Sequence, residues 1–135
     1  AAGRQKIPPA FDGADLSTGE NQLFGNAQTD KRHFTEFSMW HSTAENAAMA
    51  DAETVKIMNP LNYIGTSGVK IPQNWRIRVG TADRDTSLAV SAVLAAKLQN
   101  NGYAVDYFLP WDVPHSGDYD LEELFVWMKQ VSTQK

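Results

Sequence analysis

The stretch from residue 75 to residue 131 constrains this chain most, because its order of elements admits only a parallel pairing. "WRIRV" (75–79) reads as a short strand, and "TSLAVSAVLAAKLQNNG" follows as a helix over 87–99 with Gly102 as its stop. "YAVDYFL" (103–109) is the next strand. A last helix carries Leu121, Leu124, Phe125, Met128 and Val131, an i, i+3, i+4 stripe suited to a core, with Asp120 able to cap it. Two strands joined by a helix cannot form a hairpin; they pair in parallel as a βαβ unit. The near-continuous apolar content of the 87–99 helix predicts heavy burial.

The first seventy residues read differently. "RQKIPPAFDGADLSTGENQLFGN" is rich in turn signals, and Ile7, Phe11, Leu16, Leu23 and Phe24 make it an ordered long loop. "FTEFSMWHSTAENAAMADAETVKIM" is helical in pieces and ends where Asn59-Pro60 forbids continuation. This divides the chain into an irregular segment, 1–70, and a β-α-β-α segment, 71–135. At 135 residues, 42% hydrophobic and 21% charged, it has the material for one ordinary domain. A net charge of −4 without a basic run argues against nucleic acid, and no apolar stretch approaches a membrane span. With no cysteine there is neither thiol nucleophile nor thiolate metal site, and the compartment stays open.

In parallel sheets chemistry gathers beyond the carboxyl ends of the strands. There "GTADRDTS" offers Asp83 and Asp85, and "PWDVPHSGDYD" offers His115. A carboxylate that accepts the Nδ1 proton of an imidazole fixes its tautomer and leaves the other nitrogen as a general base. A serine should complete the set, yet the nucleophile elbow G-x-S-x-G is missing. "GTSGV" (65–69) lacks the last glycine, and Ser67 reads as an ordinary loop serine.

The stretches "GENQLFG", "NPLNYI", "WRIRVGTADRDTSLAV" and "KLQNNGYAVDYFLPWDVPHSGDYDLEELFVW" together resemble the carboxyl-terminal part of bacterial tannase-like esterases of the tannase and feruloyl esterase type. The resemblance implies the end of an α/β-hydrolase fold: parallel strands with covering helices, preceded by a lid-like, acyl-pocket segment over 1–70. It implies Asp83 as triad acid and His115 as triad base, with the serine outside this chain and the amino-terminal part of the same hydrolase as partner. It further implies a phenolic ester substrate whose ring hydroxyls meet Lys6, Glu20 and Asp85, and no cofactor. Vicinal phenol hydroxyls donate to carboxylates and accept from an ammonium, so these residue types suit the task. Each also has an ordinary reading: Lys6 as a solvated charge, Glu20 as a loop-fixing acceptor, Asp85 as a cap for the following helix.

Other readings are weaker. His115, Asp118 and Asp120 match no metal-ligand spacing. "DGADLSTGE" from Asp12 places Ala14 and Leu16 where a calcium loop needs oxygen donors. His33 and His41 read as structural or surface residues. Because the serine is missing, a noncatalytic ligand- or partner-binding module that retains the end of a hydrolase fold is the rival function.

Overall fold

The computed structural model describes residues 10–117 and 119–133. The chain divides into two compact units, with the boundary in sequence between Thr66 and Ser67.

Among the described residues the first unit contains three short α-helices, α1 (Gly19–Leu23), α2 (Glu36–Trp40) and α3 (Ala52–Met58), and a 3₁₀ turn at Pro60–Asn62. With so little regular structure, its loops are fixed by one buried side chain. The fully buried Asp12 carboxylate accepts through Oδ1 from Asn21 Nδ2 and His33 Nδ1, both at 2.7 Å. Through Oδ2 it accepts from the backbone N–H groups of Phe34 (2.9 Å) and Thr35 (2.8 Å) and from Thr35 Oγ1 (2.8 Å). Burial alone pushes the Asp12 carboxyl up, but the hydrogen bonds from His33, Thr35 and Phe34 together outweigh it and hold it below the ordinary carboxylate value. Leu16 and Phe24 are buried around this centre, and Phe24 stacks on Phe34 at 4.2 Å between ring centroids. Leu23, read from the sequence as a buried type, is 63% exposed. Ile7 lies outside the described residues.

The second unit carries the β-α-β-α order that the sequence predicts. Strand β1 (Asn74–Arg78) pairs in parallel with β2 (Ala104–Phe108) in the register Arg76↔Asp106 and Arg78↔Phe108. Helix α4 (Leu88–Asn100) joins them, and α5 (Leu121–Thr133) follows. Gly102, at φ +81°, ends α4: its N–H binds Gln99 O at 3.0 Å, and Tyr103 N binds Leu98 O at 3.2 Å. That paired closure needs a left-handed residue, which glycine supplies without steric penalty. The core of this unit is Ala95 and Leu98, with Ser91 buried beside them and joined to the Tyr107 hydroxyl at 3.1 Å.

Two burial expectations fail. Val90 and Val93 of α4 are 63% and 54% exposed, and the α5 stripe stands open, with Phe125 62% and Met128 48% exposed. A sheet of two strands is too narrow to cover two apolar helices. Among the described residues no helix is long and apolar enough to cross a membrane.

Two outcomes follow. The purified 135-residue chain should self-associate through these apolar faces, so sedimentation should be concentration-dependent; a monodisperse monomer with one cooperative thermal transition would contradict this. Asp12→Ala should destabilise the first unit by about 3–5 kcal/mol, because it strands a buried imidazole and several N–H donors. Asp12's folded value is depressed, so its stabilisation is present at neutral pH and is lost as pH falls below the ordinary carboxylate range. Thermal melts of wild type and Asp12→Ala should therefore converge in acid.

Candidate active site

Both strands of the second unit end at one edge, and backbone hydrogen bonds tie together the loops that leave them. Thr81 N donates to Pro110 O (2.9 Å), Ala82 N to Val113 O (3.1 Å), and Asp112 N to Thr81 Oγ1 (2.7 Å). Asp112 makes this turn with a left-handed φ of 56°. Gly80 permits the approach, since a Cβ there would lie 2.0 Å from Val113 O.

This contact sets Asp83 against His115. Asp83 Oδ1 accepts from the backbone N–H groups of Asp85 (2.7 Å) and Thr86 (2.8 Å), and Oδ2 faces His115 Nδ1 at 3.1 Å. The Asp83 side chain is 6% exposed and that of His115 is 61% exposed. Burial is the largest influence on the Asp83 carboxyl and pushes it up. The Thr86 and Asp85 N–H groups and His115 outweigh it, so Asp83 stays ionised below the usual carboxylate range. With Nδ1–H donating to Asp83, Nε2 is the ring atom left to act as a base.

Asp85 joins the same cluster: one oxygen each from Asp83 and Asp85 and one ring nitrogen of His115 lie within 4.8 Å of one another. These donor types also suit a divalent cation, although the Asp83–His115 hydrogen bond already engages two of them. Asp85 is not the cap of α4; Ser87 holds that position, and the turn before it is closed by Asp83. Glu20 lies in the first turn of α1 in the other unit, beside a cleft lined by Ala10, Thr18, Gly19 and Leu23. Lys6 lies outside the described residues, as does Asp118. Asp120, weighed with His115 as a metal ligand, is instead ion-paired to Arg76.

A Ser-His-Asp array in the first unit escapes a reading of the sequence. His33 Nε2 lies 2.9 Å from Ser42 Oγ, and its Nδ1 is bound to Asp12. Ser42 Oγ is also within 3.1 Å of Ala14 O and accepts from Ala44 N at 3.3 Å. A nucleophile needs an open side, and this hydroxyl is hemmed by backbone partners while His33 is fully buried. The array is a structural brace. No motif announces it, because its members come from three separate loops.

No protein-family model and no curated protein matches this chain. Among solved structures, the native tannin acyl hydrolase from Lactobacillus plantarum is 49% identical with a TM-score of 0.88, over 95% of this chain. Its structural relatives are tannases. A tannin acyl hydrolase in complex with ethyl gallate matches at 48% identity and a TM-score of 0.86, and a Fusobacterium nucleatum tannase at 46% and 0.81. The tannase resemblance read from the sequence is thus borne out, and the parallel pair with its helices matches part of the tannase fold. The chain spans about 28% of the length of these tannases.

Gly80→Ala should separate the two loops. Overpacking against backbone should cost about 1–3 kcal/mol, read as a lower melting temperature together with loss of the Asp83–His115 contact in the imidazole NMR spectrum. An unchanged spectrum would show that the close approach is not what holds the pair.

Proposed function

We propose that this chain is part of a tannase-like serine esterase with an α/β-hydrolase fold. Asp83 is its triad acid and His115 its triad base, and the serine lies outside this chain. The observation that carries the reading is the hydrogen bond from His115 Nδ1 to Asp83 Oδ2, at the adjoining ends of two parallel strands. The similarity to tannin acyl hydrolases supports it. Residues 71–135 contribute the terminal β-α-β-α part of the hydrolase core, and residues 1–70 a lid and acyl-pocket segment. The partner is the amino-terminal part of the same hydrolase, which covers the apolar faces of α4 and α5.

In this mechanism His115 Nε2 removes the serine proton as the hydroxyl oxygen attacks the ester carbonyl. The imidazolium, stabilised by ionised Asp83, then protonates the departing alcohol as the C–O bond breaks. A water, deprotonated by the same nitrogen, attacks the acyl-enzyme; the acid leaves and the serine regains its proton. The proposed substrates are esters of phenolic acids, galloyl or related. The ethyl gallate and 3,4-dihydroxybenzoate complexes of the similar tannin acyl hydrolase support this class. Lys6, Glu20 and Asp85 are the proposed partners of the ring hydroxyls.

In the esterase that carries this segment, His115→Ala should lower kcat by several orders of magnitude, and Asp83→Asn nearly as much through the wrong tautomer. Asp85→Asn should spare simple acetate esters and weaken gallate turnover. Equal losses at Asp83 and Asp85 on an acetate ester would overturn the assignment of the acid. A site with polar groups aimed at ring hydroxyls should favour methyl gallate over methyl benzoate in kcat/KM by about a hundredfold or more. Equal rates on the two esters would mark a general carboxylesterase, and no turnover of either would favour a binding module.

A further inference from the structure

Helix α5 follows the His115 loop, yet none of its residues is buried. What ties its start to the sheet is charge. Arg76 and Arg78, two residues apart on β1, lie on one face of the sheet. Arg76 Nη2 donates to Asp120 Oδ2 at 2.5 Å, and Arg78 Nε lies 3.5 Å from the same oxygen. Asp120 immediately precedes α5, and its carbonyl accepts from Leu124 N at 3.0 Å in the helix's first turn. The arginines are themselves held by Asp106 on β2, opposite Arg76 in the register. Arg78 Nη2 meets Asp106 Oδ2 at 2.7 Å, and Arg78 Nη1 also donates to Asp106 O at 2.8 Å.

The two guanidinium side chains are only 7% and 15% exposed; Arg76 Nε lies 3.7 Å from Asp106 Oδ2 and has no hydrogen-bond partner among the described residues. A desolvated ion pair is a poor source of stability compared with apolar packing, because desolvation offsets its attraction. What it does supply is geometry: two planar guanidinium groups converge on one oxygen, Asp120 Oδ2, and so restrict where that carboxylate can lie. His115 needs such help, for its ring is 61% exposed and has little packing around it. Upstream, Val113 O is pinned to Ala82 N. Downstream, Asp120 is held by the two arginines. Between them lie Ser116 and Gly117.

We infer that Arg76, with Arg78 and Asp106 as its frame, is a positioning residue that holds His115 against Asp83 by fixing Asp120 at the far end of the loop. The inference rests on the esterase reading for its kinetic consequence alone.

The test uses the full-length esterase and Asp120→Asn, which removes the charge and keeps the shape. Its kcat on methyl gallate should fall tenfold or more while KM changes less than threefold, and the downfield Nδ1–H resonance of His115, assigned by its loss in His115→Ala, should weaken. Arg76→Lys, which retains a charged donor, should keep more activity than Arg76→Met, and it carries the comparison if Asp120→Asn does not fold. Made in a His115→Ala background, Asp120→Asn should change the residual rate less than twofold. An equal fold-loss in both backgrounds, or an unaltered resonance with a lower melting temperature, would overturn the inference. If His115→Ala leaves turnover intact, the esterase reading falls, and the resonance still decides whether the clamp positions the ring.

Discussion

Asp83 has two oxygens with separate tasks, and the arrangement at the sheet edge depends on that division. Oδ1 is held by the N–H groups of Asp85 and Thr86, which fixes the plane of the carboxylate from its own loop. Oδ2 is thereby presented to the second loop, where it meets His115. A carboxylate free to rotate would exchange its oxygens and blur the orientation of the ring. The backbone bonds also keep it ionised despite burial, so it can stabilise an imidazolium. None of this could form without the contact at Gly80, where the two loops come closer than any side chain allows.

The same residue types serve the opposite end in the first unit. Asp12 and His33 are both fully buried, and among the described residues Asp12 receives five donors where Asp83 receives three. Asp12 and His33 are closed off, and Ser42 Oγ is already engaged by His33, Ala14 O and Ala44 N, so the array holds loops together. Catalytic competence of such an array is read from what is left unsaturated, not from which residues compose it. In the Asp83–His115 pair one partner is anchored and buried while the other keeps an exposed ring. In the Asp12 array the histidine is closed off, and its chemistry with it.

How much of this was legible in the sequence follows from how local each signal is. The β-α-β-α order, the Gly102 stop and the strand ends near Val79 and Leu109 rest on periodicity and on glycine, and they appear within a residue or so of the expected positions. Asp83 and His115 were found because parallel strands direct their carboxyl ends to a common edge. The Asp12 centre was not legible, since it joins residues brought together by turns rather than by pattern. "WRIRV" shows two arginines but not that both lie over Asp106 and Asp120. The α5 stripe announced an apolar face correctly, but a stripe states only that a helix wants a cover and not that this chain supplies one.

The two faces of the small sheet are therefore held by different forces, and each governs one member of the pair. Asp83 leads into α4, whose Ser91, Ala95 and Leu98 pack on the strands, so the acid is set by close packing that responds little to solvent conditions. His115 leads into α5, whose start is set by Arg76 and Arg78, so the base is set by electrostatics. The hydrogen bond from Arg76 holds the Asp120 carboxyl below its ordinary value, with both arginines adding to the effect. Because the folded value is depressed, the tether is complete above the ordinary carboxylate range and is released only as pH falls below it. Over the neutral range the carboxylate tether at the far end of the His115 loop therefore keeps a constant charge, and the start of α5 keeps its place on the sheet.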